Sequence, residues 1–244
     1  MIYYNKNNEK VIIPDEILNN VISHGECGTV YRLSNDLCFK KYDRTFTTKN
    51  FRINQKIVDL LNSIDNDNIV EIIDILFNQK QNYHYIADAY IMKYYLEKYK
   101  NILELPTTYL LENVENILDL SMKCSNLNIR FGDLKDANTI YTKDKIILLD
   151  PDLYDTPFHI STSELIKINN SIISGFFNEL VLNTLNTNYQ QFLADNDLFA
   201  YSFSFKLFPI TVNANRTMKV LEKKLKGYAR PIDYVYSKKK TKRR

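Results

Sequence analysis

Between Ile129 and Tyr154 the chain reads IRFGDLKDANTIYTKDKIILLDPDLY, and this stretch gathers the residues best suited to chemistry. Asp133 and Asn138 lie five residues apart, and Asp150 follows the apolar run Ile146-Ile147-Leu148-Leu149. Carboxylate and amide oxygens brought together are hard ligands, suited to a magnesium ion that also keeps phosphate oxygens. A further carboxylate can orient a hydroxyl nucleophile. Asp and Asn are also ordinary turn residues, so the pair means little without the elements around it.

Those elements can be read from the spacing. Thr139-Ile140-Tyr141 and Ile146 to Leu149 read as two short strands joined by the charged turn Thr142-Lys143-Asp144-Lys145, which puts the acids at the mouths of a tight hairpin. Upstream, Leu110, Val114, Ile117, Leu120 and Cys124 predict a helix opening at Pro106-Thr107-Thr108, with Thr107 or Thr108 as N-cap. Ile53, Ile57, Leu60, Leu61 and Ile64 predict another over residues 51–64. Strands are expected at 37–42, 70–77 and 83–90. Val11-Ile12-Ile13 is a further candidate strand, and Pro14-Asp15-Glu16 opens a short helical turn. Beyond the hairpin, apolar spacing predicts helices over 163–185, 188–194 and 214–225. Tyr201 to Pro209 alternates like an edge strand.

Asp133-Leu134-Lys135 with Asn138, then a hairpin, then Asp150, resembles the catalytic and metal-binding loops of the protein kinase superfamily, D-L-K-x-x-N followed by a strand and Asp. Upstream stretches resemble the same family in the order it requires. Val21 to Leu33, VISHGECGTVYRL, is similar to the glycine-rich loop G-x-G-x-x-G-x-V. Gly25 and Gly28 fall on its second and third glycines, Ser23 on the first, and Val30 on the valine that covers adenine. Glycines there let the backbone approach phosphates. Leu37-Cys38-Phe39-Lys40 resembles V-A-I-K, which makes Lys40 the phosphate-binding lysine and turns Lys41 to the other face. Ile91 to Glu97 resembles the hinge, with Met92 behind the adenine and the backbone from Lys93 through Tyr94 to Tyr95 along its edge. The resemblance covers about residues 21–154 and fades after Tyr154.

The resemblance implies an α+β, two-lobed protein kinase-like fold. Its N-lobe, residues 1–95, would hold a five-stranded antiparallel sheet plus one helix. A mostly helical, reduced C-lobe would occupy 96–236, and 237–244 would be a basic disordered tail. It implies ATP and magnesium, and an atypical Ser/Thr protein kinase acting on a protein substrate. Asp133 would accept or orient the substrate hydroxyl proton, and Lys135 would steady the transferred phosphoryl group. Asn138 and Asp150 would be magnesium ligands. Asp152 would be a further ligand, because Asp-Pro-Asp is closer to the Asp-x-Asp of aminoglycoside and choline kinases.

The departures matter as much. Phe131 and Gly132 stand where many protein kinases have His-Arg, so an activation-loop phosphate loses its partner. Ile57 falls where the family carries the helix Glu that pairs with the lysine, leaving Gln55 or Asp59 as substitutes. Two alternatives follow. Gly132 and Asp-Pro-Asp favour a small-molecule kinase. The missing Glu and the short back half favour a pseudokinase that acts as a binding or scaffold module.

Composition excludes some classes. With 45% apolar and 25% charged residues in 244, the chain has ordinary globular composition and enough length for a core. Six of the 32 Lys and Arg lie in residues 238–244, so a net charge of +3 becomes about −3 for the remainder. The body is therefore not a basic nucleic-acid binder; the tail is the part that would meet nucleic acid or an anionic surface. Cys27, Cys38 and Cys124 lack paired metal spacing, which points to reduced thiols and a cytoplasmic setting, with Cys27 exposed at its loop tip. His24, His84 and His159 show no zinc pattern. No signal-peptide core opens the sequence, and no run approaches the roughly 18 apolar residues of a membrane span.

Overall fold

The structure, a computed structural model, describes residues 1–25, 27–43, 52–80, 86–100, 102–132, 134–177, 214–234 and 237. The expected helix at 188–194, the aromatic stretch 201–209, His84 and the basic tail 238–244 lie outside the described residues.

Strands β1 (Ile2–Tyr4) and β2 (Lys10–Ile12) form a small antiparallel ribbon, whose first strand carried no sequence signal. The main sheet comprises β3 (Val21–His24), β4 (Gly28–Arg32), β5 (Leu37–Tyr42), β6 (Ile72–Leu76) and β7 (Ala89–Lys93). Their order is β3-β4-β5-β7-β6 and every pair is antiparallel, as expected. The last strand lies later than its predicted span of 83–90. Pairing decides this: β5 faces β7 from Lys41 opposite Ala89 to Leu37 opposite Lys93. The apolar pattern continues past Tyr90, so alternation alone does not say where pairing stops.

Alternate residues of β5 go to opposite faces of the sheet. Phe39 joins Tyr3, Ile13, Ile17, Leu76 and Ala89 in a small cluster on one face. The 3-10 turn Asp15–Asn19 supplies Ile17 to it. Cys38 and Tyr42 join the main core on the other face. Lys40 shares that second face, and this determines its surroundings.

Helix α1 (Gln55–Asn62) is shorter than predicted because Asn54 is extended and its side-chain oxygen accepts the Ile57 amide at 3.0 Å. Its Ile57, Val58 and Leu61 are buried, each contributing roughly 1.5–3 kcal/mol relative to exposure. Helix α2 (Thr107–Asn126) starts at Thr107, but neither threonine caps it. Instead the Thr107 amide donates to the Ala229 carbonyl at 2.7 Å, so a tertiary contact satisfies the first free amide. Helices α3 (Thr162–Phe177) and α4 (Ala214–Leu225) pack against α2 and against each other. The predicted continuation of α3 to residue 185 lies outside the described residues. Strands β8 (Thr139–Tyr141) and β9 (Ile146–Leu148) form the predicted hairpin. Among the described residues, no helix is long and apolar enough to cross a membrane. The three cysteines form no disulfide.

Two buried asparagine networks lock the hairpin and the loop before it. Asn68 donates to the Asn113 side-chain oxygen and to the Ile146 carbonyl, both at 2.8 Å, while that same Asn113 oxygen accepts the Ile146 amide. The backbone of Asn68 and Val70 also pairs with Leu148, so β9 is stitched to the segment after α1. On α3, Asn169 accepts the Phe131 amide at 2.9 Å and donates to the Ile129 carbonyl at 2.8 Å and to Ser125 Oγ at 2.9 Å. Helix α3 thereby holds residues 129–131 from below.

Candidate active site

Directly opposed residues of neighbouring strands share a face, so register assembles the first part of the site. Val30 lies opposite Lys40, and Lys40 lies opposite Tyr90. Met92 lies opposite Cys38, one step along the same face, and is buried. Lys40, Val30 and Met92, expected in one pocket, therefore do share one surface. That surface faces the hairpin.

The glycine loop behaves differently at its two glycines. Gly28 lies opposite Tyr42, and a Cβ there would come within 2.2 Å of the Lys41 carbonyl oxygen. The strand pairing itself thus demands glycine. At Gly25, which is exposed, a Cβ would meet only the Gly28 oxygen at an ordinary 3.6 Å. Gly28→Ala should cost about 1–3 kcal/mol or more, and Gly25→Ala should stay within about 0.5 kcal/mol. Thermal melts of both variants check this asymmetry; equal losses would mean that β4 and β5 do not approach as closely as they do here. Cys27 corrects an expectation: it is half-buried against the main core, because its carbonyl accepts the Asp43 amide at 3.2 Å and folds the loop over β5.

The stretch expected to act as hinge begins inside β7 rather than after it. The amides of Lys93 and Tyr94 are already used within the protein, donating to Glu71 and Asp36 carbonyls at 2.9 and 2.7 Å. The Arg32 guanidinium stacks 3.3 Å above the Tyr94 ring. An edge-binding ligand there would have to use other backbone groups of this stretch.

From below comes the hairpin. The Leu149 amide donates to the Asn138 carbonyl at 2.8 Å, bringing Asn138 beside the chain that leads into Asp150. Asp150 takes a left-handed backbone conformation, φ 56° and ψ 63°, which Asp tolerates better than most residues. The chain therefore turns sharply into a 3-10 turn, Pro151–Leu153, that carries Asp152 back toward the sheet. The result joins residues over a hundred positions apart. Lys40 Nζ donates to Asp150 Oδ1 and, at 2.7 Å, to Asp152 Oδ2. Tyr42 donates its hydroxyl proton to Asp152 Oδ1 at 2.6 Å, and its oxygen accepts the Ile53 amide at 3.0 Å.

Electrostatics follow from burial. Burial pushes the Asp152 carboxyl up to about 7; Lys40 pulls it down, and the Asp150 charge adds to the rise. Burial alone would lower Lys40, but Asp152 and Asp150 outweigh it and hold the ammonium above the usual lysine value. Burial and then the Asp152 charge push Tyr42 and Tyr90 well above the ordinary phenol, so both remain protonated. The buried Tyr90 hydroxyl makes no well-formed hydrogen bond, but it lies close enough to Asp152 for that carboxylate to push it up further.

The other expected residues divide. Lys135 is exposed, and its carbonyl accepts the Asn138 amide and the Thr139 hydroxyl at 2.9 and 3.0 Å. Asp133 lies outside the described residues. Neither helix substitute reaches Lys40: the Gln55 amide donates to Asp59 at 2.7 Å, and Asp59 is exposed and paired with Lys6 at 3.3 Å. Ile57 is in the core. Asp152, expected as a further metal ligand, has both oxygens engaged by Lys40 and Tyr42.

Among the described residues, no group of three His, Cys, Asp or Glu could hold a metal by itself. The Asp150 carboxylate and the Asn138 side-chain oxygen are of the kind that suits a hard cation keeping phosphate and water oxygens. Asp150 has a side chain 30% exposed and meets Lys40 through Oδ1 only, and Asn138 is its neighbour across the hairpin base. That donor set fits magnesium. Sequence reasoning missed Tyr42, Asn68, Asn113 and Asn169. The asparagines left one signal: Asn113 and Asn169 interrupt the apolar stripes of α2 and α3, and a polar residue on a buried stripe needs a partner. Comparison with models of known protein families and with curated proteins finds no match for this chain.

Proposed function

We propose that the chain is an ATP- and magnesium-dependent phosphotransferase with a two-lobed protein kinase-like fold, acting on Ser or Thr hydroxyls of a protein substrate. The observation that carries this reading is the contact between Lys40 of β5 and Asp150 two residues past β9, 110 residues apart. A cationic group and a partly open carboxylate meet under a sheet whose neighbouring loop contains two glycines. That combination suits a polyphosphate with its cation.

In this reading Lys40 binds phosphate oxygens and Val30 covers the base, with Met92 behind it. Bound at Asn138 and Asp150, magnesium would neutralise charge on the phosphates. Asp133 would receive the proton of the acceptor hydroxyl as its oxygen bonds to the γ-phosphorus. The bond from that phosphorus to the bridging oxygen breaks, and ADP leaves. Lys135, exposed beside Asn138, would balance charge on the phosphoryl group in flight.

The test is transfer of label from radioactive ATP with magnesium, with and without a generic protein acceptor, by wild type and Asp150→Ala. Label should appear on protein and fall at least about a thousandfold in Asp150→Ala, the loss expected when several kcal/mol of charge stabilisation is removed. Undiminished labelling by Asp150→Ala would sink the proposal. Label appearing only on an added small metabolite would point to a small-molecule kinase. One observation favours a pseudokinase: Lys40 is bonded to both carboxylates at once, which fills the place a phosphate would take. Nucleotide-independent partner binding without any transfer would support that second reading.

A further inference from the structure

We infer that Asp152, braced by Tyr42, is the positioning residue that holds Lys40 in place for phosphate, a task no residue of α1 performs. The inference rests on the phosphotransferase reading above. It starts from a simple requirement: a buried ammonium needs both counter-charge and hydrogen bonds. The Lys40 side chain is only 8% exposed, and two carboxylates meet it.

The two carboxylates are not equivalent. Asp152 is sealed, at 1% exposure, with Oδ2 on Lys40 and Oδ1 on Tyr42. The Tyr42 hydroxyl is fixed in turn by the Ile53 amide just ahead of α1. This makes a closed chain of contacts from Lys40 through Asp152 and Tyr42 to the backbone. Asp150 is partly open and touches Lys40 through one oxygen. A phosphate arriving from the open side can take the place of Asp150 at Lys40. It cannot replace Asp152 without stranding a buried carboxylate. Asp150 is therefore the exchangeable partner and Asp152 the permanent one. The left-handed turn at Asp150 and the following 3-10 turn bring it there. With both oxygens engaged, Asp152 acts on the lysine and not on the metal.

Direct titration of ATP into the full chain at several magnesium concentrations tests this, using wild type, Asp152→Asn, Lys40→Ala and the double variant. Asp152→Asn should weaken ATP binding at least about tenfold, the effect of losing one charge-assisted bond. Its magnesium requirement should stay within about twofold of wild type, and it should cost nothing further once Lys40 is Ala. Tyr42→Phe keeps every charge and should weaken binding about three- to tenfold in the same cycle; it carries the test if Asp152→Asn does not fold. Additive losses with a raised magnesium requirement would make Asp152 a metal ligand and overturn the inference. Wild type binding ATP with Tyr42→Phe and Asp152→Asn unaffected would overturn the inference alone. Wild type binding no ATP would overturn the phosphotransferase reading and the inference with it.

Discussion

Lys40→Met should lower the free energy of unfolding by about 3–5 kcal/mol, although it places a more apolar side chain in the core. The reason is the carboxylate left behind. Asp152 is sealed from water, and removing its ammonium partner leaves a buried charge met only by the neutral Tyr42 hydroxyl. The acid escapes by taking up a proton. Its carboxyl already stands at about 7 with Lys40 pulling it down, so without Lys40 it rises further. An acid raised above its unfolded value contributes stability that is present below the unfolded value and lost as pH climbs through the folded one. The deficit of Lys40→Met should therefore be smallest near pH 4 and grow as pH rises through 7. Urea denaturation at the two ends of that range measures it. Adding Asp152→Leu should restore most of the stability, since a buried ion pair replaced by apolar groups is often neutral. A single-variant loss below about 1 kcal/mol at pH 8 would mean that the buried pair does not form.

The second large effect is expected at Asn169→Leu, about 2–5 kcal/mol. The shape is nearly kept, yet the Phe131 amide and Ile129 carbonyl lose their partner inside the protein, each at about 1–3 kcal/mol. The damage should reach function in a specific way. Asn169 holds the chain just before residues 133–138, while Lys40 and the glycine loop belong to the sheet. On the proposed phosphotransferase reading, ATP binding should persist under conditions where the variant is folded, and phosphate transfer should fall. Equilibrium unfolding together with separate binding and transfer measurements checks both parts. A variant as stable as wild type would show that these bonds exchange freely with water.

How much of this was legible beforehand varies by element. The hairpin, the antiparallel sheet and the spans of α2 and α4 follow from spacing, because alternation and the helical repeat are local properties of the chain. Asp150 could be singled out because it follows an apolar run, whereas Lys40 was singled out by the resemblance of its strand to V-A-I-K. Strand and helix ends were less legible. β7 runs past its predicted end because its register follows β5, and α1 starts late because Asn54 caps it. The first amide of α2 is satisfied by Ala229, more than a hundred residues away, where a local threonine had been expected. Cys27 packs inward because the loop folds onto the end of β5.

At the site itself, the residue types and their order along the chain determine which chemistry is on offer: a lysine, a magnesium-suited Asp and Asn, and a glycine loop. Tertiary structure alone decides who partners whom. The helix that was to supply an acid presents Ile57 to the core, and the counter-charge arrives from Asp152, 112 residues from Lys40. No local pattern encodes such a pair. It depends on the left-handed turn at Asp150, on the stitching of β9 to Asn68, and on a tyrosine whose hydroxyl is anchored by backbone. A hydrogen-bonded ion pair needs the two groups in contact, so it appears only once packing has fixed the path of both segments.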